Sequence, residues 1–146
     1  QTTRSCEVAF GAPLTCTLSP VANGVKYTLA VSSVNSVGSK TSSLKNQIAQ
    51  AAPGAPTNVA GSQTSAAGAT KVAWTAAPNN GSAITAYNVT VWQGNTQVVG
   101  KSCSTTGATF CNVTGLARGT AYTFKVTATN GIDTGPVGSG TYTTRS

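Results

Sequence analysis

The sequence predicts an all-β protein, and three observations carry that reading. Apolar residues alternate with polar ones in several short stretches, as in Thr70, Val72 and Trp74 against Lys71, Ala73 and Thr75, the period-two signature of a strand buried on one face. Apolar runs rarely exceed three residues, while Ser and Thr together supply about a quarter of the chain, a balance that favours strands and turns over helices. Finally, the chain resembles itself at an offset of 95 residues (122 − 27): Cys16 falls on Cys111, Leu18 on Val113, Val21 on Leu116, Gly24 on Gly119, Tyr27 on Tyr122, Val31 on Val126 and Asn35 on Asn130. A fixed-period match without gaps signals repetition of one small fold.

The period divides the 146 residues into one whole unit and the second half of another. Residues 1–48 hold the half, 49–56 a linker and 57–146 the whole unit. The linker reading rests on Pro53 and Pro56, which remove backbone donors and favour extended backbone. After it, residues 57–60 form a first strand and Thr70–Thr75 a second, with Trp74 and its parity mates facing the core. Pro78-Asn79-Asn80-Gly81 is turn chemistry. The next strand points Tyr87, Val89 and Val91 one way and Asn88, Thr90 and Trp92 the other. Gly94-Asn95 turns the chain into residues 96–99, and residues 104–107 turn it back into the Cys111 strand, so that Cys103 and Cys111 flank a hairpin. A corner over Leu116–Tyr122 leads into a strand with Tyr122, Phe124, Val126 and Ala128 inward, and residues 137–144 supply the last of seven strands.

The four cysteines form two local pairs at the same place in the repeat, Cys6 with Cys16 and Cys103 with Cys111. Recurring pairs read as disulfides, the alternative being four buried free thiols. A bridge across about ten residues stabilises by roughly 2–3 kcal/mol in the chain-entropy model and implies an oxidising, extracellular location, secreted or at the cell surface. The net charge of +7 arises from nine basic residues against two acidic ones, Glu7 and Asp133. The basic residues are scattered, with no run, which argues against a nucleic-acid partner and leaves weak attraction to anionic cell-surface polysaccharide. No stretch approaches the ~20 apolar residues of a membrane span, and the chain reads as soluble, with any signal peptide removed or upstream.

Trp74, the segment Ile84–Val89, the Val113-Thr114-Gly115-Leu116 corner and the run Gly119–Asn130 resemble the fibronectin type III domain. The resemblance covers residues 53–146 in full, and residues 1–46 resemble only the second half of that domain. It implies an immunoglobulin-like β-sandwich anchored by Trp74, Tyr87, Leu116 and Tyr122, with a tyrosine corner at Leu116 and Tyr122 repeated at Val21 and Tyr27. Paired cysteines depart from most of the family. The abundance of Thr, Ala and Asn with few charges is similar to modules of secreted bacterial proteins.

Catalysis is not expected, because the chain has no His and only two carboxylates, one in each repeat. No cofactor or metal site is expected either. Trp92 has outward parity and is a candidate for stacking on a sugar ring, weighed against a plain role covering the strand edge. The Ile132-Asp133-Thr134 tripeptide sits where some animal members carry receptor-binding tripeptides, but a solvated loop Asp is the simpler reading. Asn88 and Asn112 each open an N-glycosylation triplet and are left unassigned.

Repetition without chemistry points to a structural spacer, surface-display or adhesion module, with a fibre or appendage as one form of assembly. Its partners are then neighbouring repeats of the same protein, or other subunits joined head to tail. The competing readings are an accessory module of a secreted polysaccharide-degrading enzyme and a glycan-binding module. Residues 1–48 lack counterparts of Val59, Val72, Trp74, Tyr87 and Val89, so the sequence expects their open core to be completed by preceding sequence or by strand addition from another molecule.

Overall fold

The computed structural model describes residues 3–65 and 68–145. The chain forms two compact units, Gln1–Ala49 and Gln50–Ser146, and all named elements are strands.

The first unit contains β1 (Lys26–Leu29), β2 (Ser32–Val34), β3 (Ser39–Thr41) and β4 (Lys45–Ile48). β1 pairs antiparallel with β4 and β2 with β3, so residues 26–48 form one interrupted hairpin. A disulfide joins Cys6 to Cys16.

The second unit holds β5 (Thr57–Gln63), β6 (Ala69–Thr75), β7 (Ile84–Gln93), β8 (Thr96–Thr105), β9 (Phe110–Thr114), β10 (Ala121–Asn130) and β11 (Gly138–Thr143). They form a four-stranded sheet, β11-β10-β7-β8, and a three-stranded sheet, β5-β6-β9. The core lies between the sheets. The alternating patterns of β6, β7 and β10 put Val72, Val89, Val91, Phe124 and Val126 out of contact with water, with Trp74 and Tyr87 beside them. The Trp74 and Tyr87 rings tilt against each other with centroids 5.3 Å apart, and the Tyr87 hydroxyl accepts from the Ala77 amide at 3.2 Å. The Trp74 indole N–H is buried without a hydrogen-bond partner, so this side chain contributes through its apolar area alone.

Three expectations need correction. Cys103 and Cys111 do not flank a hairpin. β8 continues to Thr105 and pairs with β7, whereas β9 pairs with β6, so residues 106–109 cross from one sheet to the other. The Cys103–Cys111 bridge therefore ties the two sheets together along one edge. The hairpin reading failed because sequence adjacency cannot distinguish a turn within a sheet from a crossover between sheets.

The turn expected at residues 104–107 accordingly begins later, and β8 is longer than the expected 96–99. Its pairing with β7 is irregular between Thr90 and Trp92, where Gly100 takes a positive φ of 76°. Residues 50–56, expected as part of a linker, belong to the second unit. Pro53 and Pro56 are buried, and the Ala51 and Gly54 amides donate to the carbonyls of Asn80 and Pro78 at 3.1 and 2.9 Å. Proline removes donors but does not prevent packing, which sequence composition does not reveal.

The opposite edge of the sandwich closes by a different device. β11 approaches β5 so closely that a Cβ at Gly138 would collide with the Pro56 carbonyl oxygen, and one at Gly140 with that of Val59. Glycine is required there because backbone meets backbone.

Two measurements check this architecture. Trp74→Ala is expected to lower the second unit's stability by about 3–5 kcal/mol, the range for truncating a large buried aromatic. Trp74→Phe removes only the unpartnered N–H and part of the ring, so chemical denaturation should show less than half that loss; a Trp74→Ala protein melting within a few degrees of the parent would overturn the assignment. For the disulfides, alkylation without reduction should label no cysteine, and the Cys103→Ser/Cys111→Ser pair should cost about 2–3 kcal/mol in the second unit alone. A peptide linking Cys16 to Cys103 would refute the pairing.

Candidate functional site

The outward face of the four-stranded sheet is built from the residues whose alternation turns them away from the core. Cross-strand registers align Thr141, Thr123, Trp92 and Gln97 in one row and Ser139, Lys125, Thr90 and Ser102 in the next. Thr127, Asn88 and Ser104 make a third row. The result is a field of hydroxyls and amides with one indole, Trp92, and one ammonium, Lys125.

Trp92 is half-buried rather than free. Its Nε1–H donates to Thr90 Oγ1 at 3.0 Å, and the Lys125 ammonium stands 3.5 Å from the ring centroid. Such a cation–π contact contributes about 0.5–1 kcal/mol at an exposed site. A sugar approaching that ring face must displace the ammonium, so the geometry favours the covering role over the stacking one.

Asn88 and Asn112 are exposed on β7 and β9, and the Thr90 hydroxyl of the first triplet is already held by Trp92. Asp133 lies in the β10–β11 loop, where its carboxylate accepts from the Thr134 amide at 2.7 Å. That local cap uses the carboxylate to shape its own loop. Among the described residues no group of three or more His, Cys, Asp or Glu comes together as a metal site. No helix is long and apolar enough to cross a membrane.

Asn130, not singled out as a site residue in the sequence, organises this end of the unit. Its side-chain amide donates to the carbonyls of Ala51 and Asn79 at 2.8 and 3.1 Å, while its oxygen accepts from the Ile132 and Asp133 amides at 2.9 and 3.1 Å. One 5%-exposed Asn thus fastens three backbone segments. The available signal was its recurrence as Asn35, ahead of a loop in each repeat.

At the other end of β10, the Tyr122 hydroxyl accepts from the Ala117 amide at 3.1 Å, and Tyr122 and Leu116 are buried. Tyr27 is half-buried, with its hydroxyl accepting from the Ala22 amide at 2.7 Å.

These bonds recur at the 95-residue offset. Lys26 pairs with Ile48 as Ala121 does with Thr143. The Asn35 amide donates to the Gly38 carbonyl as that of Asn130 does to Asp133, and Gly24 donates to Ala49 as Gly119 does to Thr144. The Asn35 side-chain oxygen accepts from Val37 and Gly38, matching Asn130 with Ile132 and Asp133.

The surroundings differ. Phe124 and Val126 are fully buried, whereas their offset counterparts Leu29 and Val31 are 37% and 74% exposed.

No curated protein sequence matches the chain. Among solved structures it is similar to domains d3–d4 of the rat CD45 extracellular region, at 18% identity and a TM-score of 0.67, covering 99% of this chain and 77% of that one. It is also similar to titin domains A168–A170 (20% identity, TM-score 0.55, 80% of this chain and 40% of that one). The chicken CNTN1 FN1–FN3 domains match at 17% identity and a TM-score of 0.52, over 86% of this chain and 44% of that one. At these identities the similarity speaks to fold. Residues 54–144 match the family model described as the fibronectin type III domain, more than half of the chain, and with the buried tyrosine corner and the four-plus-three sandwich this places the protein in the fibronectin type III family.

Proposed function

We propose that the chain is a non-catalytic, extracellular structural module built in tandem, serving as a spacer, surface-display or adhesion element. The observation that supports this reading is the recurrence of register and hydrogen bonds at the 95-residue offset; on this reading residues 1–48 are the second half of the module that residues 50–146 complete. A chain that repeats a scaffold to the level of its loop hydrogen bonds invests in length and shape. The two disulfides support an oxidising compartment, and one structural neighbour is an extracellular region.

The comparison of the two units supports this reading. β10 pairs with β7 along one edge, and its inward row is covered by the β5-β6-β9 sheet. The equivalent edge of β1 and β2 carries no strand among the described residues, and Val31, Val34 and Leu44 stand open to solvent. Strands of the β5–β7 type would cover that face, joining successive modules into an elongated assembly.

The experiment is a graft. A copy of residues 50–97 placed ahead of Gln1 should turn the first unit into a second sandwich, and amide exchange at residues 26–34 should slow from nearly unprotected to the level seen at residues 121–129. The parent chain should show protection in the second unit only. A compact parent monomer with residues 16–34 already strongly protected, or a graft that leaves those amides exchanging freely, would refute the tandem reading.

A further inference from the structure

The second unit carries five basic residues, Lys71, Lys101, Arg118, Lys125 and Arg145, against one acid, Asp133, a balance of +5 − 1 = +4. The single carboxylate and the two arginines sit at opposite ends of the sandwich. Asp133 follows the last residue of β10, whereas Arg118 precedes its first and Arg145 follows β11. Ten residues of strand, about 30 Å, separate them. The Lys101 ammonium lies against Gly115 at the arginine end and adds a third cation.

Between the sheets at that end opens a cleft of about 260 Å³. Arg118 and Arg145 are exposed and line it together with Thr70, Leu116 and Tyr142. No ion pair or side-chain hydrogen bond engages either guanidinium among the described residues. Thr70, 4% exposed as a residue, lines the same cleft. The half-buried Tyr142 adds an aromatic surface to the same cleft.

We propose that this cleft binds an acidic sugar residue of an anionic polysaccharide. The planar guanidinium forks of Arg118 and Arg145 suit a carboxylate or sulfate, each able to give two parallel N–H···O bonds. The tyrosine ring offers an apolar face to a pyranose, and Thr70 supplies a hydroxyl to a ring oxygen or hydroxyl. The cleft is smaller than the ~300–1,000 Å³ of a drug-sized pocket, a size that suits one sugar unit rather than a long chain. The site lies wholly within the second unit, so it goes beyond the spacer reading and does not depend on the tandem one.

The test is calorimetric titration of the full chain with trigalacturonic acid, with a neutral trisaccharide and a short duplex DNA as the two comparison probes. The acidic trisaccharide should bind saturably and the neutral one should not, while DNA should bind only diffusely. Arg118→Gln with Arg145→Gln should weaken binding by at least about tenfold, as expected for losing charge-assisted hydrogen bonds. Lys71→Gln with Lys125→Gln removes the same charge from residues that do not line the cleft and should change affinity by less than about twofold. Thr70→Val should weaken binding about threefold, one neutral hydrogen bond's share. Absence of saturable binding overturns the proposal, as does equal binding of the neutral sugar or of DNA. Equal losses in the two double variants would also overturn it, because they would reduce the effect to net charge.

Discussion

The second unit depends on one constraint: the inward row of β10 must be covered. Tyr122, Phe124, Val126 and Ala128 alternate along this strand at exposures of 6% or less. Fully burying a side chain such as Phe or Val contributes about 1.5–3 kcal/mol, so this row alone is a large share of a small domain's net stability. β10 is central, pairing with β7 and β11 at once, and the facing sheet closes over it. The hydrogen-bonded ends of β10 serve the same constraint. Tyr122 holds the entry corner, and Asn130 gathers the segments around the exit.

Two sheets facing each other still have open edges, and the molecule treats its two edges in opposite ways. Along β5 and β11 it removes side chains, so that Gly138 and Gly140 let backbones meet. Along β8 and β9 it adds a covalent bond, Cys103 to Cys111, across a gap that β8 and β9 do not close by pairing. The bridge suits this edge because β9 is only five residues long and its Phe110 is 47% exposed, which leaves little apolar area to hold it. The Lys71 ammonium over the Phe110 ring, 4.3 Å from its centroid, covers part of that exposed face.

The surface follows from scarcity of acids. Asp133 is used by its own loop, and among the described residues no cation of the second unit pairs with a carboxylate; four of the five find aromatic rings or remain open. Lys125 on Trp92 and Lys71 on Phe110 are the first kind; Arg118 and Arg145 are the second. This division explains why the aromatic residue that stands out in the sequence is less available than it looks, and why the open cationic end is the better place to seek a ligand.

Much of the fold was legible in the sequence because alternation and repetition are local properties. The period of two along β6, β7 and β10 identified Trp74, Tyr87, Val89, Val91, Phe124 and Val126 as inward, and the 95-residue offset located the tyrosine corner twice. The cysteine pairs were visible as well, since they recur at one place in the repeat. Less of the candidate site was legible. Trp92 was marked by parity alone, which tells the side of a sheet but not whether Lys125, on the neighbouring strand, covers the ring. Nothing local joined Thr70, Arg118, Tyr142 and Arg145, which come from β6, the corner before β10, β11 and the segment after it. The tertiary structure also decided that residues 106–109 cross between sheets, that Pro53 and Pro56 pack into the second unit, and that Gly138 and Gly140 are sites of backbone contact. Each of these depends on which strands become neighbours across the core, a choice made by the burial of whole faces rather than by any short stretch. What the sequence determined by itself is the strand pattern, the repeat and the module type; what only the folded chain decided is how the edges close and which distant side chains share a cleft.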